Sequence, residues 1–432
     1  MSKKILVITY YWPPYGGVGA FRITKFVKYL VKAGWEITIL APDHAEVPIF
    51  DKSILQDVPS GIKLYRTKIF EPFNLYRKFT GQKPKEAVST TIFLEDNKSR
   101  KTKISRWIRL NIFIPDAKIG WYPFAVTKGK EIIKNEKPNL IFSTSPPPTT
   151  HLIAGRLAKW SKLKWVADFR DPWTKISYYD TSGINYFSKK FNAYLEKKVL
   201  NQSNKLTLVN DGFFPGFANS QKTTIIPNGF DTDDLKSLQT RQPNNKFTIR
   251  YLGSFKLNQN IEGLFGLFQS ISEDNLMCKK IKIEFYGFTE PLIQRKIQAK
   301  NYNLEINFYN YVDRQTALNL IYAADMVLLI IGRSKLNKSI ISAKIFDYVM
   351  AEKPVLAFGP LDGDANKILQ KSNCGVMFAY DDLIEPHLYL RSIFINRKNG
   401  KADITINKNE IKKYDFKYLT RLLDQQFMNL LK

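Results

Sequence analysis

Apolar segments about the length of a β-strand alternate with longer amphipathic segments in the first half of the chain. The apolar segments lie at residues 5–9, 35–41, 140–144, 164–168, 205–209 and 223–226. Residues 22–32 and 150–161 have the pattern of amphipathic helices, and Gly34 ends the first of them. A strand, a helix and a strand in succession predict βαβ units and therefore a parallel sheet.

A second series of the same kind follows a polar interruption at residues 231–245. Its predicted strands are 248–252, 281–286, 304–309, 326–331 and 355–358, with a helix over 314–323. We therefore expect an N-terminal domain at 1–232 with a basic insertion at about 50–115, and a second domain at 246–406. A helical tail at 407–432 is expected to pack back toward the first domain. The predicted fold class is α/β, with two facing Rossmann-like, doubly wound domains whose ligands bind in the cleft at the carboxyl ends of the strands.

The sequence also bears on the cellular compartment and argues against disulfide bonds and zinc binding. The chain has 432 residues, and no run of about 18 apolar residues that would span a bilayer occurs in it. The N-terminus shows no secretory cleavage pattern, so we expect a cytoplasmic protein. Cys278 and Cys374 are isolated and lack metal-binding spacing, which argues against a disulfide framework or a zinc site.

Positive charge is concentrated in the first half. The formal charge is +27, and residues 1–245 contain 39 Lys and Arg against 20 Asp and Glu. Such an excess favours polyanionic partners or anionic membrane surfaces. Within the insertion, residues 98–113 combine six basic residues with Trp107 and several aliphatic ones, the pattern of a basic helix with an aromatic anchor. Two interpretations remain open: an interfacial membrane helix, and a solvated basic surface over an internal contact.

Glycines follow the first predicted strand. Gly16, Gly17 and Gly19 precede a helix, and backbone N–H groups there form an anion site together with the helix N-terminus. The spacing differs from a dinucleotide fingerprint because Arg22 replaces the last glycine and the loop is longer. No G-K-[ST] sequence is present, which argues against a P-loop.

Charged residues follow another predicted strand. Asp168 ends the predicted strand 164–168, and Arg170 and Asp171 follow it at the carboxyl edge of the sheet. We therefore expect Asp168 and Arg170 to contact substrate or to act in catalysis. The alternative is a local Arg–Asp pair that shapes the loop. His151 lies at the start of the predicted helix 150–161, which precedes this strand. It is either a catalytic residue or a structural neighbour of the helix start.

A lysine and a carboxylate share one edge of a predicted helix near residue 345. Lys344 and Asp347 are three positions apart, Pro354 ends the helix, and a buried strand follows. This arrangement suits a ligand with both phosphates and vicinal hydroxyls, although an ordinary ion pair would have the same spacing. The two D-x-D sequences, at 231–233 and 362–364, are interpreted as caps rather than metal sites.

Several motifs occur in an order that resembles bacterial glycosyltransferases of family 4. They are YYWPPYGGVG (10–19), STSPP (143–147), ADFRDPW (167–173), IPNGFD (226–231), ADMVLL (324–329) and the segment 342–360, which is similar to the family's K-x-x-E-Y-x-x-A-x-K-P-V block. The resemblance covers nearly the whole chain except about 50–115. It implies a GT-B fold and a retaining, metal-independent transfer of a sugar from a nucleotide diphosphate sugar, without a cofactor.

The resemblance also implies roles for individual residues. Asp347 is expected at the donor ribose hydroxyls and Lys344 at the donor phosphates, with Gly16 and Gly17 at the pyrophosphate or the transferred sugar. Further donor contacts are expected from Gly253 and Lys256, in the turn after the first strand of the second domain. The backbone of Val312 is expected to lie next to the nucleotide base. The family's E-x₇-E pair is altered, because Ser339 replaces the first glutamate and Asp347 the second.

The expected acceptor is a lipid-linked or cell-envelope saccharide of polysaccharide or lipopolysaccharide synthesis, reached at the anionic inner face of the cytoplasmic membrane by a peripherally bound enzyme. The first alternative is a GT-B nucleotide-sugar epimerase. A more distant one is a basic nucleic-acid-binding protein, which the lack of zinc spacing and of a basic–aromatic RNA signature argues against. We therefore expect no nucleic acid partner.

Overall fold

The computed structural model of the protein describes residues 3–43, 50–70, 100–174, 183–218, 220–238, 245–400 and 404–432. The chain divides into two compact units. Unit 1 comprises Met1–Pro227 and Leu419–Lys432, and unit 2 comprises Asn228–Tyr418.

A parallel sheet forms the centre of unit 1. Among its described residues seven strands pair in the order β3-β2-β1-β4-β5-β6-β7. The strands are β1 (Lys4–Ile8), β2 (Glu36–Pro42), β3 (Lys63–Thr67), β4 (Leu140–Ser145), β5 (Lys164–Phe169), β6 (Lys205–Leu208) and β7 (Thr223–Ile225). The helices are α1 (Val18–Lys32), α2 (Arg100–Asn111), α3 (Tyr122–Glu136), α4 (Thr149–Ser161), α5 (Tyr186–Gln202) and α6 (Pro215–Ala218).

Unit 2 repeats the architecture. Its described residues form six parallel strands in the order β10-β9-β8-β11-β12-β13. The strands are β8 (Phe247–Leu252), β9 (Ile281–Tyr286), β10 (Glu305–Tyr309), β11 (Met326–Ile330), β12 (Val355–Phe358) and β13 (Gly375–Phe378). The helices are α7 (Glu262–Glu273), α8 (Pro291–Ala299), α9 (Arg314–Ala323), α10 (Lys344–Met350), α11 (Asp364–Ser372), α12 (Glu385–Lys398), α13 (Lys408–Ile411) and α14 (Phe416–Leu431), whose residues from Leu419 onward belong to unit 1.

The central strands are buried along most of their length because helices cover both surfaces of each sheet. In β1 only Lys4 is not fully buried, and all six residues of β4 are buried. The C-terminal residues complete the core of unit 1, where Phe427 packs against Phe142 and Asp424 accepts a hydrogen bond from Trp35 Nε1. The predicted α/β class with two Rossmann-like sheets is confirmed.

Two parts of the predicted organisation differ in the structure. The polar segment 231–245 begins within unit 2: Asp231 is fully buried and starts a 3₁₀ helix over Thr232–Ser237, and Phe230 hydrogen-bonds through its backbone to Tyr414 and Phe416. The segment at 50–115 contributes β3, which pairs with β2 along its whole length. Residues 71–99 and 239–244 lie outside the described residues. Within the described part of the chain, no helix is long and apolar enough to cross a membrane.

Candidate active site

The loop after β1 ends in glycines at the carboxyl edge of the unit 1 sheet. Gly17 caps α1 with a φ of 89°, a left-handed conformation that favours glycine. Gly16 and Gly17 are both partly exposed. The first N–H groups of a helix have no partner within the helix, so this loop leaves backbone donors at the start of α1; anion binding by Gly16 and Gly17 stays a prediction.

Arg170 lies beneath this helix start. Its guanidinium donates from Nε to the carbonyl of Ser145 (2.9 Å) and from Nη2 to that of Pro146 (2.7 Å). The remaining nitrogen, Nη1, is buried, has no hydrogen-bond partner among the described residues, and occupies the space that a Cβ at Gly19 would fill. Burial lowers the pKa of Arg170, but a guanidinium remains charged at neutral pH. A buried positive charge therefore adds to the positive end of α1.

Asp168 is paired inside the unit rather than exposed at its edge. Arg22 donates from Nη2 (2.9 Å) and Nε (3.3 Å) to its two oxygens, and the hydroxyls of Thr144 and Thr207 donate to it at 2.7 Å each. Both side chains of the ion pair are 1% exposed. Burial alone would raise the pKa of Asp168, but Arg22 and the two hydroxyls outweigh it and hold this pKa below its usual range.

Arg22 contacts two of the sequence motifs, ADFRDPW and IPNGFD. Besides Asp168, its guanidinium donates to the carbonyls of Ile226 (2.8 Å) and Pro227 (2.6 Å). The residue that replaces the last fingerprint glycine thus connects α1, β5 and the loop after β7. Sequence reasoning registered only its departure from the fingerprint.

His151 lies in the core beside β4 and β5. Its Nδ1 is 2.8 Å from the hydroxyl of Ser143, which also accepts from Trp165 Nε1, and its ring packs on Phe169 at 4.4 Å between centroids. Burial lowers the pKa of His151 to about 3, so the imidazole is neutral at physiological pH. Its Nε2 is buried and has no hydrogen-bond partner within the described part of the chain.

The structure thus brings His151, Asp168 and Arg170 together at the carboxyl edges of β4 and β5, but below the surface. In this arrangement the oxygens of Asp168 are occupied by internal donors, and His151 is fully buried. A role for either in direct contact with substrate stays a prediction that would require a rearrangement. The geometry favours the alternative in which these residues position the loops above them.

In unit 2 the predicted phosphate contacts meet at the end of β8. Gly253 has a φ of 110°, and a Cβ there would lie 2.6 Å from Cε of Lys344. The ammonium of Lys344 lies 3.8 Å from the ring centroid of Tyr251, whose hydroxyl is held by Ser254 and Gln259. Burial, and then the nearby charge of Lys256, lower the pKa of Lys344 to about 7.

Asp347 and Val312 are linked by an arginine that sequence reasoning missed. Arg314 donates to both oxygens of Asp347 (2.9 and 3.2 Å) and to Asp234 (3.5 Å). Arg314 begins α9, two residues after Val312, so this ion pair fixes the Val312 loop against α10. Burial alone would lower the pKa of Arg314, but Asp347 and Asp234 outweigh it and raise this pKa. The sequence places Arg314 at the start of a predicted helix, but it does not show that Asp347 is its partner.

Other predicted positions are also placed. Ser339 ends a short 3₁₀ helix over Asn337–Ser339 and is partly buried. The caps are confirmed for Asp231, which accepts from the backbone N–H of Asp233, and Asp364 lies in the first turn of α11. Asp362 instead forms an exposed ion pair with Lys338, at 2.6 Å.

Aromatic side chains flank the Val312 loop. Tyr286 and Tyr309 end β9 and β10, and their rings stack at 4.6 Å with an angle of 14°. Tyr311 is 60% exposed. Each of these tyrosines ends or follows a predicted strand, which was the available signal. Exposed, pre-ordered rings at a carboxyl edge offer a planar surface for a flat ligand.

Comparisons with known proteins identify the fold. No protein-family model matches the chain, and no curated protein sequence matches it. Among solved structures, a glycosyltransferase from Rickettsia africae ESF-5 has a TM-score of 0.58 at 13% identity, covering 100% of this chain and 99% of that one. Anabaena Alr3699/HepE in complex with UDP-glucose has a TM-score of 0.56 at 12% identity, covering 99% of each chain.

An epimerase also shares this architecture. The putative UDP-N-acetylglucosamine 2-epimerase from Listeria monocytogenes has a TM-score of 0.52 at 11% identity, covering 98% of this chain and 95% of that one. The two Rossmann-like sheets of this chain match those of GT-B glycosyltransferases and of this epimerase, so the protein has a GT-B fold.

Proposed function

We propose that the protein is a retaining, metal-independent glycosyltransferase of family 4. It transfers a sugar from a nucleotide diphosphate sugar to a lipid-linked or cell-envelope saccharide in polysaccharide or lipopolysaccharide synthesis. The ordered motifs and the GT-B fold support this assignment. The enzyme acts in the cytoplasm, bound peripherally to the inner face of the cytoplasmic membrane.

The arrangement at the end of β8 is the observation that carries the proposal. Lys344 lies beside Gly253, where the absence of a side chain leaves room for its aliphatic chain and ammonium group at the end of β8. Its ammonium has no acidic partner in the described part of unit 2, and Lys256 is exposed nearby. Two cations at a strand's carboxyl edge suit a diphosphate, and they would stabilise the charge that develops on the leaving nucleotide without a metal.

The neighbouring loop would hold the nucleoside. Asp347 would accept hydrogen bonds from the ribose hydroxyls while Arg314 keeps its carboxylate oriented. The base would lie by Val312 and the tyrosine stack. Ser339 cannot supply the carboxylate of the family's first glutamate, so the sugar must be held by other groups.

In unit 1, Gly16 and Gly17 would bind an anionic group through their backbone. Arg170 acts here as a positioning residue, because it holds the carbonyls of Ser145 and Pro146 at the end of β4 and places positive charge against the first turn of α1. In this proposal Asp168 holds Arg22 in place. His151 fills the core beneath the loop after β4.

An epimerase is the second candidate because one shares the fold. An epimerase returns an altered nucleotide sugar, whereas a transferase releases the nucleotide diphosphate and forms a new glycosidic bond. Proton NMR of the nucleotide sugar incubated with enzyme and extracted membrane lipids separates the two. Inversion at a sugar carbon without release of nucleotide diphosphate would replace the proposal with the epimerase.

A thermal-shift panel tests the donor assignment most directly. UDP-, GDP-, ADP- and dTDP-sugars are compared, because a ligand that binds only the folded state raises the melting temperature by mass action. We expect one nucleotide to stand out, with a rise that grows with ligand concentration. A flat response to every nucleotide sugar at millimolar concentration would contradict the proposal.

The variant Asp347→Ala should weaken binding of the best nucleotide sugar about tenfold, the loss expected for hydrogen bonds to a charged group. Isothermal titration calorimetry gives the affinity. Asp362→Ala, which removes an exposed carboxylate of unit 2 from its ion pair with Lys338, is the matched control and should bind normally. If both variants bind the donor as well as wild type does, Asp347 does not contact the ribose.

A further inference from the structure

Helix α5 exposes aromatic side chains along one side. Its inward positions Ser188, Asn192, Leu195 and Val199 are buried. On the outward side, Tyr186 is 67% exposed, Phe187 80%, Phe191 50% and Tyr194 58%. Phe187, Phe191 and Tyr194 follow the spacing of four and three residues that aligns side chains on one side of a helix, and Tyr186 directly precedes them. Such a row of exposed rings is unusual on a water-facing surface.

The end of α2 is attached to the start of α5. Asn111 accepts a hydrogen bond through Oδ1 from the backbone N–H of Asn185 (2.7 Å), and its carbonyl accepts one from the hydroxyl of Ser188 (3.2 Å). These bonds join the end of α2 to the start of α5. On α2, Trp107 is 49% exposed, and Ile112, which follows the helix, is 60% exposed. We call the six residues Trp107, Ile112, Tyr186, Phe187, Phe191 and Tyr194 the aromatic surface.

Lysines lie among the rings of the aromatic surface. Lys190 lies 5.5 Å from the ring centroid of Tyr186, and Lys198 6.0 Å from that of Tyr194. The single acidic residue of α5, Glu196, is occupied by the backbone N–H (3.0 Å) and hydroxyl (2.5 Å) of Thr174. The sequence of α2 contains five Lys and Arg and no acidic residue. Among the described residues, α5 therefore combines exposed rings with nearby lysines, while its one carboxylate is engaged by Thr174.

We propose that the aromatic surface is where unit 1 docks on an anionic lipid bilayer. Aromatic rings partition into the headgroup boundary, and lysines beside them add electrostatic attraction to anionic lipid. A protein partner would need a matching acidic and apolar surface, whereas a bilayer supplies both over any area. This inference rests on the membrane association proposed above and identifies the residues that would carry it.

Vesicle sedimentation tests the assignment with the full chain. The double variant Phe187→Glu/Phe191→Glu is compared with Leu292→Glu/Leu388→Glu, which places the same charges at exposed apolar positions of unit 2 (59% and 50% exposed). With vesicles of phosphatidylcholine and phosphatidylglycerol, we expect the α5 variant to bind at least about tenfold more weakly than wild type and the control to bind nearly as well. Both variants should retain the nucleotide-sugar thermal shift.

A fluorescence experiment reports insertion independently of charge. Trp107 is half exposed, so its emission should shift to the blue when vesicles are added, and Trp107→Phe should remove most of that shift. If the wild-type protein does not bind anionic vesicles, both the proposed membrane association and this inference are wrong. The proposed donor binding is not affected by that result. If the α5 variant binds vesicles as wild type does, only the aromatic surface is overturned. Self-association in ultracentrifugation that the α5 variant abolishes, without vesicle binding by wild type, would identify an interface between copies instead.

Discussion

Replacing Arg22 with methionine should lower the free energy of unfolding of unit 1 by about 3–5 kcal/mol, the usual cost of removing one partner from a buried ion pair. The methionine would leave the carboxylate of Asp168 buried with only the two threonine hydroxyls as donors, and the carbonyls of Ile226 and Pro227 without theirs. All seven tryptophans lie in unit 1, so intrinsic tryptophan fluorescence during denaturation with urea follows this unit selectively.

A double-mutant cycle separates the ion pair from lost packing. Asp168→Asn combined with Arg22→Met should cost clearly less than the sum of the two single changes, because no unpaired charge remains. Lys128→Met, which removes the surface pair between Lys128 and Glu131, should change stability little. Additive effects of Arg22 and Asp168 would show that the pair does not stabilise the unit.

The same pair predicts a dependence on pH. Because the pKa of Asp168 is lowered in the folded state, its contribution is fully present above the unfolded value of about 3.9 and is lost as the pH falls through the lower folded pKa. The stability difference between wild type and Asp168→Asn should therefore shrink under acid conditions and stay constant near neutral pH.

Local patterns in the sequence were sufficient to predict most of the strands. Runs such as 281–286 and 355–358 match β9 and β12 because a strand covered on both sides is a short apolar run wherever it occurs. Strand β3 escaped prediction because it is an edge strand with a mostly partly exposed side-chain pattern. Helix α5 escaped because its buried row contains Ser188 and Asn192, which hydrogen-bond internally, while its rings face outward.

The candidate site depends on contacts between residues that local sequence patterns do not predict. Lys344 and Asp347 were identified because they are three residues apart on one helix. Their partners are distant in sequence: Tyr251 lies under Lys344, and Arg314 pairs with Asp347. Likewise, an exposed role was expected for Asp168 from its place at a strand end, yet Arg22, far away in sequence, encloses it. Proximity of this kind depends on strand order and register, which one sequence does not show.

Replacing Lys344 with methionine should weaken binding of the best nucleotide sugar about fiftyfold, as expected when a charged contact to a diphosphate is removed. The wild-type affinity should also depend on pH. Because the pKa of Lys344 is about 7, this side chain loses its proton in the free protein as the pH rises above neutral. Binding of the diphosphate must then be accompanied by uptake of a proton. Affinity should therefore fall as the pH rises from about 7 to 9 and level off below 7.

Calorimetry in buffers with different ionisation enthalpies measures this coupling. Near pH 8, binding to wild type should take up close to one proton, and binding to Lys344→Met almost none. A nucleotide sugar is the suitable ligand, because its diphosphate is esterified at both ends and does not itself titrate in this range. Affinity that is constant from pH 6.5 to 9 would show that Lys344 does not meet the phosphates.

Lys256 provides the sharper control because its charge is the second cause of the lowered pKa of Lys344. Lys256→Met should remove that repulsion and so raise the pKa of Lys344, which moves the midpoint of the affinity profile to higher pH. The same change removes an exposed cation, so affinity at pH 6.5 should fall only a few-fold. A weaker affinity with an unmoved midpoint would mean that burial against Tyr251 alone sets the pKa of Lys344. A midpoint that moves up would show that the two lysines act on one diphosphate site.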